Sequence, residues 1–311
     1  MRLDDFARGA VGSQTIAAQT IAVPNAGRPE EGVALAEQQQ GARAPDGARG
    51  TISVNDAVKQ FEGGVLAVDH VSFAATPGEF VSIVGPSGCG KSTLLRLIAG
   101  LIPLSGGAIS VNGRGVTEPR QDVALMFQRP TLLPWRTALQ NALLPPKLGG
   151  KLDEGAERQA YELLELVGLS GFEHTYPRHL SGGMQQRVAL ARLLMVGVDV
   201  LLLDEPFAAV DQLTRERLNL ELLRVHERMS ATALLVTHNI TEAILLADRV
   251  IVMTPRPGRI ADLIDVPFGR PRAPEMVAER EFQELVLRAY RGLQVPLTDS
   301  GDTRQTGVRG A

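Results

Sequence analysis

The stretch VGPSGCGKSTLLRLIAG, residues 84–100, combines a glycine-rich turn, a lysine, two hydroxyl side chains and a run of leucines. Residues 85–92 match the phosphate-loop pattern G-x-x-x-x-G-K-[ST]. EFVSIV, which is typical of a buried strand, comes directly before the loop, and STLLRLIAG, which is typical of a helix, follows it. A strand, a tight loop and a helix in this order favour a nucleotide phosphate as ligand over a chance glycine turn.

Each residue type in this loop has a physical reason. Glycines let consecutive backbone N–H groups turn toward an anion, and the helix N-terminus adds partial positive charge. Lys91 is expected to contact the β- and γ-phosphates, and the Ser92 hydroxyl is expected to coordinate Mg²⁺. The candidate nucleotide-binding residues of the loop are Gly85, Pro86, Ser87, Gly88, Cys89, Gly90, Lys91, Ser92 and Thr93.

A second candidate element is VLLLDE, residues 200–205, a short apolar run that ends in two acids. Such a buried strand would deliver Asp204 to the sheet edge where ligands bind in parallel α/β proteins. Asp204 is expected to hold Mg²⁺, directly or through water, and Glu205 is the candidate general base for an attacking water. Strands often end in acids that are merely solvated, but the phosphate loop upstream favours the catalytic interpretation.

The composition is that of an ordinary globular protein, with 44% hydrophobic and 22% charged residues. A net charge of -3 and 4% aromatic residues give no indication of nucleic-acid binding. The single cysteine, Cys89, excludes an internal disulfide, and its thiol is either a small filler or a site that bulky reagents reach. No run of about 18 apolar residues is present, so we expect no membrane-spanning helix and a cytosolic chain.

The pattern along the chain predicts an α/β fold with a parallel sheet covered on both sides. Strand-like runs alternate with helical segments, including a helix expected over 215–229, and a block of helical spacing over 137–195 interrupts them. Residues 1–50 are expected to be disordered, with a docking segment as the alternative. Near the other end we expect a helix from 274 to about 291, followed by a loose tail.

The segment LSGGMQQRVALAR, residues 180–192, closely resembles the signature motif of ATP-binding cassette (ABC) proteins. It lies between the phosphate loop and the acidic strand, as it does in that family. Gln128 matches the Q-loop, AAVD at 208–211 matches the D-loop and ends in Asp211, and His238 matches the switch histidine. Phe61 lies where the family has an aromatic residue, most often Tyr, that stacks on adenine. The resemblance covers about residues 51–267.

This resemblance implies a P-loop NTPase cassette with a RecA-like core, an antiparallel β subdomain and an inserted α-helical subdomain at about 129–192. The ATPase domain would span 51–270, and residues 271–311 would form the C-terminal helix and tail. The implied cofactors are ATP and Mg²⁺. The implied catalytic residues are Glu205, His238 and Lys91, and the implied metal ligands are Ser92, Gln128 and Asp204. Asp211 would be a further nucleotide-site residue.

The signature residues Ser181, Gly182 and Gly183 precede a predicted helix whose exposed N–H groups would form another anion site. In the family, two cassettes pack head to tail, and the signature of one closes over the ATP held by the other. Because the chain has one copy of each motif, we expect an ATP-bridged homodimer.

The stretches LLPWRTALQNALLPP (132–146) and TPRPGRI (254–260) resemble the cassettes of nitrate, taurine and alkanesulfonate importers. This implies an ATP-hydrolysing subunit on the cytoplasmic face of the membrane. Its partners would be a separate permease and, indirectly, a solute-binding protein, with no nucleic acid. Trp135 either packs the helical subdomain or lines the groove for the permease. The alternative function is a soluble ABC ATPase that remodels a nucleic-acid or protein complex.

Overall fold

The computed structural model describes residues 49–293, except 209 and 230. Its strands are β1 (Ile52–Gln60), β2 (Leu66–Ala75), β3 (Phe80–Val84), β4 (Gly106–Val111), β5 (Arg114–Gly115), β6 (Val123–Met126), β7 (Val200–Asp204), β8 (Thr232–Thr237), β9 (Arg249–Met253) and β10 (Ile260–Asp265). Its helices are α1 (Lys91–Ile98), α2 (Ala138–Ala142), α3 (Leu144–Leu148), α4 (Glu154–Leu166), α5 (Gly182–Leu194), α6 (Gln212–Met229), α7 (Ile240–Leu246) and α8 (Arg280–Leu293). The expectations for residues 1–48 and for the tail from 294 lie outside the described residues.

A six-stranded sheet forms the centre, in the order β10-β9-β3-β8-β7-β6. Its strands run parallel except β10, which pairs antiparallel with β9. Every residue of β3, β7 and β8 is buried, as the apolar runs predict for strands covered on both faces. Alternate side chains enter two separate cores: Phe80 packs with the helices, and Val81 packs toward the second sheet.

The second sheet is antiparallel, in the order β2-β1-β4-β5, and covers one face of the first. Ile52 and Val71 from this sheet share a core with Leu94 of α1 and Leu202 of β7. The chain passes from β2 to β3 through the predicted turn at Pro77 and Gly78. The phosphate-loop helix is therefore held between two sheets.

The helical block is a series of short helices rather than one long element. Thr137 and Gln140 form a capping box that begins α2. Proline at the N-terminus of α3 then starts a new helix, because proline cannot donate a backbone hydrogen bond to the preceding turn. The last helix of the block, α5, ends at Leu194, inside the helical spacing expected over 137–195.

Two helix boundaries differ from the expectation. Helix α6 begins at Gln212 rather than 215, because the Asp211 carboxylate accepts a hydrogen bond from the Thr214 N–H at 3.0 Å and caps the first turn. The helix expected from 274 consists of a 3-10 turn, Pro274–Ala278, and then α8, because Glu279 between them has an extended backbone. Helix α8 buries Phe282 in the core formed by the other helices.

Candidate nucleotide-binding site

The candidate residues meet at one edge of the parallel sheet. The phosphate loop follows β3, Gln128 lies two residues after β6, Glu205 follows β7, and His238 follows β8. Because these strands are parallel, their carboxyl ends meet at the same edge, where α/β sheets bind ligands.

The phosphate loop packs closely against its surroundings. Gly90 has φ 110°, and a Cβ there would lie 2.4 Å from the carbonyl oxygen of Ala67, so only glycine fits this position. The buried Lys91 ammonium donates to the carbonyl oxygens of Gly85 and Pro86 at 2.7 and 2.9 Å. The loop therefore holds a positive charge at its centre, as phosphate binding requires.

Cys89 is a packing residue. Its side chain is 1% exposed and belongs to the core between the two sheets. A Cβ on Gly85 would lie 2.8 Å from the Cys89 sulfur, which shows how tightly the thiol fills this space. The Cys89 thiol is therefore closed off from solvent in this structure, which favours the filler interpretation, and its reaction with bulky thiol reagents stays a prediction.

The Ser92 hydroxyl donates to the Asp204 carboxylate at 2.8 Å. Burial raises the pKa of Asp204 above its ordinary value, although the Ser92 hydrogen bond acts in the opposite direction. Two oxygen groups at a partly desolvated point beside a phosphate loop fit the hard oxygen ligands that Mg²⁺ prefers. The amide of the third expected ligand, Gln128, donates to the carboxylate of Glu205, the residue after Asp204, at 3.3 Å.

Glu205 and His238 are neighbours, with Oε1 of Glu205 3.4 Å from Nδ1 of His238. Glu205 has φ 47°, a left-handed conformation that costs a residue with a side chain on the order of 1–3 kcal/mol. Its N–H donates to the carbonyl of Val236 at 2.9 Å, which holds this backbone in place. Both side chains line one small cavity together with Ala208 of the D-loop segment.

Phe61 presents its ring to solvent on the loop between β1 and β2. The side chain is 41% exposed, and Nζ of Lys59 lies 5.2 Å from the ring centroid. The same loop leads into β2, whose Ala67 contacts Gly90 of the phosphate loop. An exposed aromatic face on this side of the loop suits stacking with a base.

The signature segment begins α5. Ser181 is the N-cap, and its hydroxyl accepts a hydrogen bond from the Met184 N–H at 3.2 Å. Gly182 and Gly183 lie in the first turn rather than before the helix, so their N–H groups are among those that the helix itself leaves unpaired. Asp211, at the end of the D-loop segment, is exposed and caps α6. Hydrogen bonds from Thr214 lower the pKa of the Asp211 carboxyl below its ordinary value.

The stretch TPRPGRI, residues 254–260, contacts the phosphate loop, and the sequence did not predict this contact. Nε of Arg256 donates to the Gly88 carbonyl at 3.1 Å. Gly258 packs so closely that a Cβ there would lie 2.0 Å from the Cys89 carbonyl oxygen. The glycine and the two prolines of this stretch signalled a tight turn, but nothing in the sequence indicated what the turn touches.

The parallel sheet, the phosphate loop and the acidic strand end define a phosphate-loop nucleotide-binding protein. Residues 68–208 match the family model described as ABC transporter. The chain is 45% identical over 206 residues to the taurine import ATP-binding protein TauB of Rhizobium johnstonii, covering 66% of this chain and 79% of that protein. It is 44% identical over 220 residues to the nitrate import ATP-binding protein NrtD of Synechococcus elongatus, covering 70% and 80%. The chain belongs to the ABC transporter family.

Among solved structures, the chain is similar to the ATP-binding cassette MJ0796 in a dimeric, post-hydrolysis state bound to ADP and Pi. The TM-score is 0.63 at 30% identity, over 70% of this chain and 100% of that one. The expected cassette fold, the assignment as an ABC ATPase and the resemblance to the nitrate and taurine group are thereby confirmed. Within the part of the chain that the structure describes, no helix combines the length and the apolar character needed to cross a bilayer.

Proposed function

We propose that this chain hydrolyses ATP to ADP and phosphate at sites shared by two copies, and that the cycle drives import of a small solute through a separate permease. The observation that carries the proposal is the convergence of Lys91, the Ser92–Asp204 pair and the Glu205–His238 pair at one sheet edge. The groups proposed to bind phosphate, to hold Mg²⁺ and to activate water thus lie at one edge of the sheet.

In this proposal the groups have separate roles. Glu205 polarises the attacking water as general base, and His238 beside it contacts the γ-phosphate. Lys91 and the backbone N–H groups of the phosphate loop, which residues 85–93 supply except Pro86, bind the phosphates, and Phe61 stacks on adenine. Ser92, Asp204 and Gln128 would hold Mg²⁺, which when bound neutralises phosphate charge. The Gln128–Glu205 contact supports a position for Gln128 between the water and the metal ligands.

A second copy of the chain would complete each site. Ser181, Gly182 and Gly183 start α5 with unpaired N–H groups, which suit the γ-phosphate of ATP held by the partner copy. Asp211 lies in the D-loop segment that would face that partner. The similar cassette MJ0796 is dimeric in its post-hydrolysis state bound to ADP and Pi, which supports this arrangement.

A groove beside the Q-loop is the candidate docking site for the permease. It has a volume of about 320 Å³ and is lined by residues of β6, α3 and α5 together with neighbouring side chains such as Phe127 and Val196. Leu148 at its rim is 79% exposed. Phe127 precedes Gln128, so a permease segment in the groove would lie next to the hydrolytic residues. Trp135 is 69% exposed, which contradicts the packing role, but it is not among the groove-lining residues.

The imported solute would be a small oxyanion or sulfonate. The support is the nitrate and taurine import named for two relatives, and taurine is itself a sulfonate. The chain would lie on the cytoplasmic face of the membrane, held by its permease, with a solute-binding protein acting on the other side.

The test is ATP hydrolysis by the purified chain, alone and with its permease partner in lipid vesicles. We expect stimulation by the permease and loss of all hydrolysis in Lys91→Ala. Leu148→Asp should abolish the stimulation but keep basal hydrolysis, whereas Leu287→Asp, an equally drastic change at an exposed leucine of α8, should keep both. If the rate of ATP hydrolysis is unchanged by the permease but is raised by nucleic acid or ribosomes, the alternative remodelling function would be favoured.

A further inference from the structure

A buried carboxylate lies directly beneath the switch histidine, and the proposed mechanism does not use it. Glu242 in α7 is 7% exposed. Its carboxylate forms a short hydrogen bond with the hydroxyl of Thr237, the residue before His238. Burial raises the pKa of Glu242 above its ordinary value, and hydrogen bonds from Thr237 and Asn219 oppose that shift. Burying a carboxylate costs free energy unless hydrogen bonds or a nearby opposite charge compensate for the lost water.

The contacts of Glu242 close a ring around the turn that carries His238. The Thr237 hydroxyl also accepts a hydrogen bond from the Asn239 N–H at 3.1 Å. The Asn239 side chain in turn caps α7 by accepting from the Glu242 N–H at 3.1 Å. Thr237, before His238, is therefore held by the Glu242 carboxylate, and Asn239, after it, is held by the Thr237 hydroxyl and the Glu242 backbone N–H. The imidazole itself projects toward solvent and Glu205.

The same cluster reaches the D-loop segment, residues 208–211. Arg215 and Glu242 line the small cavity that Glu205, Ala208 and His238 also line. The Arg215 guanidinium donates to the carbonyl of Val210 at 2.9 Å, and the positive charge of Arg215 acts on the Glu242 carboxyl. Glu242 beneath the histidine turn and Arg215 beside the D-loop segment therefore line the same small cavity as Glu205 and His238.

We infer that Glu242 is a positioning residue that holds His238 in register with Glu205 through its hydrogen bond with Thr237. The inference rests on the proposed function, because it assigns a role within the same hydrolytic site. It predicts that Glu242 acts on turnover through His238. It also predicts that ATP affinity is nearly independent of Glu242, since none of the contacts of Glu242 reaches the phosphate loop.

The experiment is a double-mutant cycle on the full chain, with kcat and ATP affinity measured separately. We expect Glu242→Ala to lower kcat on the order of 10- to 100-fold through misplacement of His238, with ATP affinity changed less than about twofold. Glu242→Gln keeps the shape and a hydrogen-bonding oxygen and should recover most of the rate. In a His238→Ala chain, Glu242→Ala should lower the residual rate by less than about threefold.

Two further variants keep the inference falsifiable if Glu242→Ala fails to fold. Thr237→Val replaces the hydroxyl by a methyl group, so it removes the hydrogen bonds to Glu242 and from the Asn239 N–H, and it should reproduce the loss of kcat. Glu284→Ala removes an exposed carboxylate of α8 and should change nothing. Equal rate losses with and without His238, or parallel losses of kcat and ATP affinity, would overturn this inference alone. Absence of hydrolysis by the native chain would overturn the proposed function and this inference with it.

Discussion

Glu205 and His238 face each other at 3.4 Å across the ends of two adjacent parallel strands. Asp204 at the end of β7 is in register with Val236 of β8, so the residues that follow the two strands are neighbours. The left-handed backbone of Glu205 turns the chain at this point. The candidate general base and the candidate γ-phosphate histidine are therefore juxtaposed by sheet register rather than by any local motif.

Glu205→Gln tests the general base. The amide keeps the shape but cannot accept a proton, so we expect ATP hydrolysis to fall on the order of 100-fold or more. ATP affinity should remain and two copies should stay associated, as measured by nucleotide titration and size-exclusion chromatography with ATP. Glu216→Gln, at an exposed position of α6, is the control. Undiminished hydrolysis would remove Glu205 from the mechanism.

Asp204→Asn tests the metal-binding group. Loss of the negative charge beside Ser92 should raise the Mg²⁺ concentration for half-maximal hydrolysis about 10-fold or more. The measurement is hydrolysis against Mg²⁺ concentration at constant ATP. Asp265→Asn, an exposed aspartate at the end of β10, should leave the curve unchanged. An unchanged Mg²⁺ requirement in Asp204→Asn would contradict the assignment.

Phe61→Ala tests the stacking platform. Removal of the ring should cost about 1–3 kcal/mol of ATP binding free energy, whereas Phe61→Tyr keeps the aromatic face and should bind normally. Competition by inorganic triphosphate, which has no base to stack, should be equal in all three proteins. If Phe61→Ala weakened triphosphate and ATP alike, the ring would have a structural role instead.

The buried side chain of His226 should make the folded chain less stable toward unfolding in acid. Its ring is 4% exposed and packs edge-on against Phe80, with centroids 5.0 Å apart. Burial, and then the positive charge of Arg270, lower the pKa of His226 from 6.5 to about 4. The unfolded chain therefore binds a proton that the folded chain excludes, so stability falls as the pH falls from about 6.5 toward 4. From this group alone, the loss between pH 7 and pH 5 is about 2 kcal/mol.

Urea unfolding at pH 7 and pH 5 measures this effect. His226→Leu removes the titrating group and should lose less stability between the two pH values than the native chain does. His174→Gln, at an exposed histidine, should behave like the native chain. Equal losses in the native chain and His226→Leu would show that His226 is not the acid-sensitive group.

Local patterns predicted the site well where its residues are contiguous. The strand, loop and helix around residues 85–92 follow directly from the glycines and the apolar runs, because backbone conformation there depends on neighbouring residues. Helix boundaries were predicted less accurately. Helix α6 begins at Gln212 rather than 215 because the Asp211 side chain caps it, and the residue spacing alone did not indicate this cap. Motif order extended the prediction to Gln128 and His238, and the structure brings both side chains to the Glu205 carboxylate.

The sequence alone determined the phosphate loop, the buried parallel strands and the family, because these depend on short-range residue spacing and hydrophobic period. Only the tertiary structure decided that Cys89 is inaccessible, that Arg256 contacts the phosphate loop, and that Glu242 lies beneath His238. Those facts depend on which distant segments pack together. Burial and partner identity are properties of the whole packed core, and no local stretch encodes them by itself.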